Sequence, residues 1–176
     1  PRELVLVPTR ELAAQVGESL RQVERFLNVP AKLLVLYGGV SINPQLMALR
    51  GGADVVVATP GRLLDVVGHN ALDLSGLHTL VLDEADRLLD GGFADELARV
   101  LALLPVRRQN LLFSATFPAA VEALAQQLLH DPVRVDVGLE AAAVASIVER
   151  AIVVDAARRT PLPVSYTHLR AHETHH

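Results

Sequence analysis

The chain has 176 residues, 51% of them apolar, with 16 Lys and Arg against 20 Asp and Glu for a net charge of −4. That length suits one domain with a sizeable core, and no apolar run nears the roughly 20 residues of a membrane span. The absence of cysteine excludes disulfides and thiolate zinc sites, which fits a reducing cytosol. The acidic balance argues weakly against a nucleic-acid binder, although phosphate contacts need only a few well-aimed donors. Those donors are nearly all arginine, since Lys32 is the only lysine.

In chain order, Leu4-Val5-Leu6-Val7 reads as a first strand ended by Pro8 and Thr9. Thr9 is a good N-cap for a helix in which Leu12, Val16, Leu20, Val23 and Leu27 recur at helical spacing. Residues 31–36 form a second strand, followed by the glycine turn Tyr37-Gly38-Gly39 and a short helix over 43–50, stopped by Gly51-Gly52. Val55-Val56-Val57-Ala58 is a third strand, after which Thr59 caps a helix with Pro60 in its first position. Leu80-Val81-Leu82 is a fourth, apolar on both faces as buried parallel strands are. Phe93, Leu97, Val100, Leu101 and Leu104 outline an amphipathic helix, and 110–113 a fifth strand. Pro118 opens another helix, with Val121, Leu124, Ala125, Leu128 and Leu129 facing inward, and 133–137 is a sixth strand. Such alternation predicts an α/β domain, a parallel sheet with helices on both faces.

Five places lie at carboxyl ends of predicted strands, where open α/β sheets bind ligands. Thr9 with Arg10, and Thr59 with Arg62, join a helix N-terminus to a hydroxyl and a guanidinium, a combination suited to phosphate. Gly38-Gly39 lets a backbone come close where a side chain would obstruct it. Three such points along one edge suit an extended polyanion better than a mononucleotide. Taken singly, each is also ordinary capping beside a surface arginine. The other two places are Asp83-Glu84-Ala85-Asp86 and Ser114-Ala115-Thr116. Acids at a strand end can hold a magnesium–phosphate complex, because Mg²⁺ prefers hard oxygens and keeps several waters. Alternatively they are the acidic first turn of a helix.

Pro8–Ala13, Thr59–Arg62, Val81–Asp86 and Ser114–Thr116 occur in this order, and together they resemble the motifs of the DEAD-box RNA helicases. The match is with the first of that family's two RecA-like domains and covers about residues 1–159. Connecting stretches at 38–45 and 108–114 resemble its bacterial RhlE-type branch. The resemblance implies a three-layer RecA-like fold of the P-loop NTPase type, and ATP and Mg²⁺ as cofactors. It further implies that Asp83 holds Mg²⁺ mainly through water, and that Glu84 positions the attacking water. Asp86 would hydrogen-bond Ser114 and Thr116, a link coupling hydrolysis to strand separation. Pro8, Thr9, Arg10, Gly38, Gly39, Thr59, Pro60, Gly61 and Arg62 would grip the RNA sugar–phosphate backbone without reading bases. Recognition of the 2′-hydroxyl would distinguish RNA from DNA.

No Gly-x-x-x-x-Gly-Lys-Thr loop occurs in the sequence, and Lys32 lacks the preceding glycines. The chain begins at Pro1 and reads as an interior piece, truncated at its N-terminal P-loop strand and inactive alone. Residues 1–137 then make a partial ATP-binding domain, and 138–160 a linker or the start of the second RecA-like domain, the chain's expected partner. A last strand falls at 151–154. His168 and His172 have the spacing of helical zinc ligands, but 161–176 resembles translated adapter sequence and is set aside. The parent is expected to be a cytoplasmic helicase. The alternatives are a non-catalytic RNA-binding module, which would not need Asp83 and Glu84, and a DNA helicase of a related superfamily-2 group.

Overall fold

Five short strands carry the fold: β1 (Glu3–Leu6), β2 (Leu33–Leu36), β3 (Val55–Ala58), β4 (Thr79–Leu82) and β5 (Gln109–Leu112). They come from a computed structural model that describes residues 1–27 and 31–137. All four pairings are parallel, in the order β2-β3-β1-β4-β5. The register is even: Leu6 stands opposite both Ala58 and Leu82, Leu36 opposite Ala58, and Leu82 opposite Leu112. The five carboxyl ends are therefore level.

Parallel strands need long crossovers, and helices supply them. These are α1 (Arg10–Leu27), α2 (Asn43–Leu49), α3 (Pro60–Gly68), α4 (Ala85–Leu88), α5 (Ala94–Ala102) and α6 (Ala119–Leu128). Alternate strand residues face opposite ways. Leu4, Leu6, Val56, Leu80 and Leu82 pack with Leu63 and Val66 of α3, Leu97 and Val100 of α5, and Leu124 and Leu128 of α6. Val5, Val57, Val35 and Val81 pack on the other side, where α1 brings Leu12, Ala13, Val16 and Leu20. The predicted three-layer arrangement, helix–sheet–helix, is the one observed.

Two expectations need correction. The apolar face of α1 turns through Ala13 and Gly17, both buried, while Val23 is 50% exposed. Gly17 lets α1 sit down on β2: a Cβ there would stand 2.5 Å from Val35 Cγ2. The helix predicted from Phe93 begins at Ala94, after a widened turn over Leu89–Phe93 with Gly92 at φ 80°. Residues 133–137 form no strand, and Val133, Val135 and Val137 are 89%, 79% and 87% exposed. Their alternation has the period of a strand, but a strand is stabilised by a paired neighbour, and no ladder includes them. One compact unit ends at Pro132 and another begins at Val133. The expectations for 138–160, the strand at 151–154, and His168 and His172 within 161–176 lie outside the described residues.

Candidate functional site

The sheet order sorts the strand ends by chemistry. Side by side stand the ends of β2, β3 and β1, which carry Gly38-Gly39, Thr59-Pro60-Gly61-Arg62 and Pro8-Thr9-Arg10. Beside them stand the ends of β4 and β5, which carry Asp83-Glu84-Asp86 and Ser114-Thr116. Neighbouring strands are about 4.8 Å apart, so each group spans a short continuous edge.

In the first group, buried Pro8 and half-buried Thr9 lead into α1, and Thr9 Oγ1 accepts from Leu12 N–H at 3.2 Å. That is the predicted cap. Arg10 is exposed and pairs with Glu11 at 2.6 Å, and it lies near Gly39, where an added Cβ would be 3.7 Å from Arg10 Nη1. The Arg10 hydrogen bond holds the Glu11 carboxyl below the usual carboxylate range. Gly39 has φ +79°, which disfavours any other residue. At Gly38 and Gly61 an added Cβ would meet nothing within 4 Å, so space beside the backbone is open.

Thr59 holds the N-cap position of α3, but its hydroxyl makes no capping bond. Its backbone is satisfied instead: N–H donates to Leu36 O and C=O accepts from Leu63 N–H, each at 3.0 Å. Arg62 is the larger surprise. It is only 8% exposed, its Nη2 donates to Val40 O at 2.7 Å, and Nε and Nη1 find no hydrogen-bond partner among the described residues. Asp65 Oδ2 lies 3.7 Å from Nε, near enough for attraction and too far for a hydrogen bond. Arg62 is thus a buried charge that anchors the glycine loop, rather than the open two-pronged phosphate donor the sequence suggests.

In the second group, half-buried Asp83 follows β4 and accepts from Glu84 N–H at 2.9 Å. Glu84 takes a left-handed backbone conformation, φ 50° and ψ 53°, and its Oε2 is 2.6 Å from Arg87 Nη1. Asp86 Oδ2 accepts from Thr116 Oγ1 at 2.7 Å and from Thr116 N–H at 3.2 Å. Ser114 Oγ accepts from Asp86 N–H at 3.2 Å and donates to Thr116 O at 2.6 Å, and Ala85 N–H donates to Phe113 O at 3.0 Å. The Thr116 hydroxyl, seconded by the Arg87 N–H, holds the Asp86 carboxyl below its ordinary value. These bonds tie the loop after β4 to the loop after β5.

Asp83 and Glu84 supply hard oxygens to which a hydrated Mg²⁺ is suited. No cluster of three or more His, Cys, Asp or Glu able to hold a metal directly exists among the described residues. The residues therefore fit a water-mediated magnesium contact. The 176 residues contain no phosphate-cradling Gly-x-x-x-x-Gly-Lys loop. Sequence reasoning missed Arg87, whose i, i+3 spacing from Glu84 was a readable signal. It also missed Val40 and the contact made by Gln45; Val40 acts through a carbonyl every residue possesses.

Level parallel strands with helices on both faces and polar groups along one edge have the architecture of a RecA-like domain. A family model of the DEAD/DEAH box helicases matches residues 1–124, and the chain belongs to that family. It is 50% identical over 135 residues to the ATP-dependent RNA helicase DeaD of Mycobacterium tuberculosis, a match covering 77% of this chain and 24% of the relative. It is 44% identical over 136 residues to the ATP-dependent RNA helicase DBP3 of Lodderomyces elongisporus, covering 77% and 25%. The chain thus spans about a quarter of the length of these curated relatives. Among solved structures, the yeast DEAD-box splicing factor Prp28 matches with a TM-score of 0.70 and 34% identity, over 74% of this chain and 31% of that one. A hypothetical ATP-dependent RNA helicase from Sulfolobus tokodaii matches at 0.68 and 37%, over 74% and 38%. No described helix is long and apolar enough to cross a membrane.

Proposed function

We propose that this chain supplies the RNA-gripping edge and the magnesium- and water-handling acids of an ATP-dependent RNA helicase. The observation that carries this reading is the sorting of the level strand ends, donor-rich on β2, β3 and β1 and acidic on β4 and β5. A polyanion would lie along the first three. Thr9, Arg10, Gly38, Gly39, Gly61 and the free N–H groups opening α3 would meet sugar and phosphate, with Pro8, Thr59 and Pro60 shaping the approach. Arg62 adds positive charge from ground poorly screened by water, where its effect on an anion is strengthened. These contacts touch no base edge, so binding is independent of sequence.

On the acidic side, Asp83 would hold Mg²⁺ through water, and Glu84 would orient the attacking water once freed from Arg87. Asp86, bonded to Thr116 and linked to Ser114, would carry movement between the two loops. ATP supplies the free energy of strand separation in the whole protein. We assign no ATP turnover to these 176 residues alone, because the sequence contains no phosphate loop. The proposed partners of the chain are RNA and a second RecA-like domain of the same protein, in the cytoplasm. The RhlE-type branch is our reading of residues 38–45 and 108–114.

Titrating the 176-residue chain with labelled RNA and DNA strands across a salt series tests this. RNA binding that weakens steeply with salt is expected. No RNA binding at low salt would remove the reading, and a preference for DNA would replace it with a DNA helicase. In the full-length protein, Glu84→Gln is expected to abolish RNA-stimulated ATPase while RNA binding persists.

A further inference from the structure

We propose that Gln45 is a positioning residue for the RNA-gripping edge: its side-chain amide stands in for the missing neighbour of edge strand β2 and sets the glycine loop at the height where Arg62 is anchored. The inference rests on the RNA reading above for its functional consequence.

β2 ends the sheet order, so among the described residues no strand lies on its outer side. In a strand, the N–H and C=O of one residue point to the same side and those of the next point to the other. Leu36 O faces β3, where it accepts from Thr59 N–H at 3.0 Å. Tyr37 therefore turns its N–H and C=O outward, to the side with no strand. Unpaired, half-buried backbone groups are costly. Gln45, in the first turn of α2, fills both needs: its Oε1 accepts from Tyr37 N–H and its Nε2 donates to Tyr37 O, each at 3.2 Å. An amide is the one side-chain group that carries a donor and an acceptor in the arrangement of a peptide unit. A carboxylate would lack the donor, and an ammonium or guanidinium the acceptor.

The clamp matters because of the loop it anchors. Tyr37 leads into Gly38, into Gly39 at φ +79°, and into Val40, whose carbonyl accepts from buried Arg62 Nη2 at 2.7 Å. Among the described residues that bond is the guanidinium's only hydrogen bond, Nε and Nη1 having none. Gln45 holds one end of a four-residue loop and Arg62 the other. Releasing the first end lets Val40 drift and leaves the Arg62 charge without its fixed place. Gln45 touches no proposed RNA contact directly, so it acts by placement.

The test is a double-mutant cycle on the 176-residue chain with Gln45→Ala, Arg62→Met and the pair. It reads affinity for a fluorescein-labelled oligouridylate, the thermal midpoint, and hydrogen exchange at the Tyr37 amide. Gln45→Ala is expected to expose the Tyr37 amide to exchange while the β1 and β3 amides stay protected. It should weaken RNA binding about fivefold. In the Arg62→Met background the same change should cost much less, because both act through one loop. A purely structural Gln45 would lower the thermal midpoint and leave the folded chain's RNA affinity unchanged, or add its effect fully to that of Arg62→Met. Either outcome overturns the proposal. If Arg62→Met weakens binding and Gln45→Ala does not, this inference fails and the RNA reading stands. If the unaltered chain binds no RNA, the RNA reading falls and takes the positioning role with it. An unchanged Tyr37 exchange rate in Gln45→Ala would dismiss the clamp on its own.

Discussion

The two halves of the strand-end edge solve opposite electrostatic problems. On the acidic side, charges are answered within the chain: Asp86 by Thr116 and Glu84 by Arg87. On the donor side, Arg62 is buried with two nitrogens unbonded, and open space stands beside Gly38 and Gly61. The acidic half is self-contained and holds its geometry unaided. The other half keeps a buried cation whose bare donors cost stability, beneath backbone that is open to an approaching anion. One edge therefore combines a finished piece of scaffolding with an unfinished surface. That difference is what would let a ligand organise the second without disturbing the first.

The strongest way to break the contrast is Arg62→Met, which keeps the volume and removes the charge. RNA affinity should fall by about tenfold, the equivalent of about 1.4 kcal/mol, while stability holds or rises because unpaired buried donors are gone. Fluorescence anisotropy and a denaturant melt measure the two; lost stability with unchanged affinity would make Arg62 merely structural.

Gly17→Ala attacks the support of the donor half. A Cβ at 2.5 Å from Val35 Cγ2 must turn that stiff side chain from its rotamer or push α1 away from β2, at a cost of about 1–3 kcal/mol. Urea denaturation should show that loss.

Thr116→Val sharpens the picture of the acidic half. Losing the 2.7 Å bond to partly exposed Asp86 should cost about 0.5–1 kcal/mol near neutral pH. The folded Asp86 carboxyl is depressed, so its contribution is fully present above the unfolded value near 3.9 and is lost as pH falls through the folded value. The gap between wild type and Thr116→Val in thermal midpoint should therefore close in acid. A gap that widened instead would contradict the assignment.

Arg10→Ala is expected to be the mildest in stability, since its pair with Glu11 is exposed and such pairs contribute little. Melting should be unmoved, and the slope of RNA affinity against salt should fall by about one phosphate contact.

Much of the fold was legible in the sequence, for physical reasons. Four strands are short, mostly apolar runs and β5 is half polar, yet all five lie within two residues of expectation, with 55–58 matching outright. Thr9 capped as predicted because a threonine before a helix has few better options. The same argument failed at Thr59, whose own N–H and C=O are bonded while its hydroxyl makes no capping bond. Residues 133–137 failed because period alone does not supply a partner strand. Arg62 was placed on the right edge, but its burial depends on a carbonyl 22 positions away that no side-chain pattern announces. Nothing in the apolar spacing of α1 marks Gly17, where an added Cβ would stand 2.5 Å from Val35 Cγ2.

The left-handed turn at Glu84 has a consequence for variation. At φ 50° and ψ 53° a side chain crowds its own backbone, a burden of about 1 kcal/mol that glycine would escape. Glu84→Gly should thus melt higher while losing the carboxylate proposed to orient water. A library screened only for heat tolerance would drift toward glycine at this position, and away from chemistry. Retention of glutamate there under a screen for activity, and its loss under one for heat alone, would show the trade within a few rounds of selection.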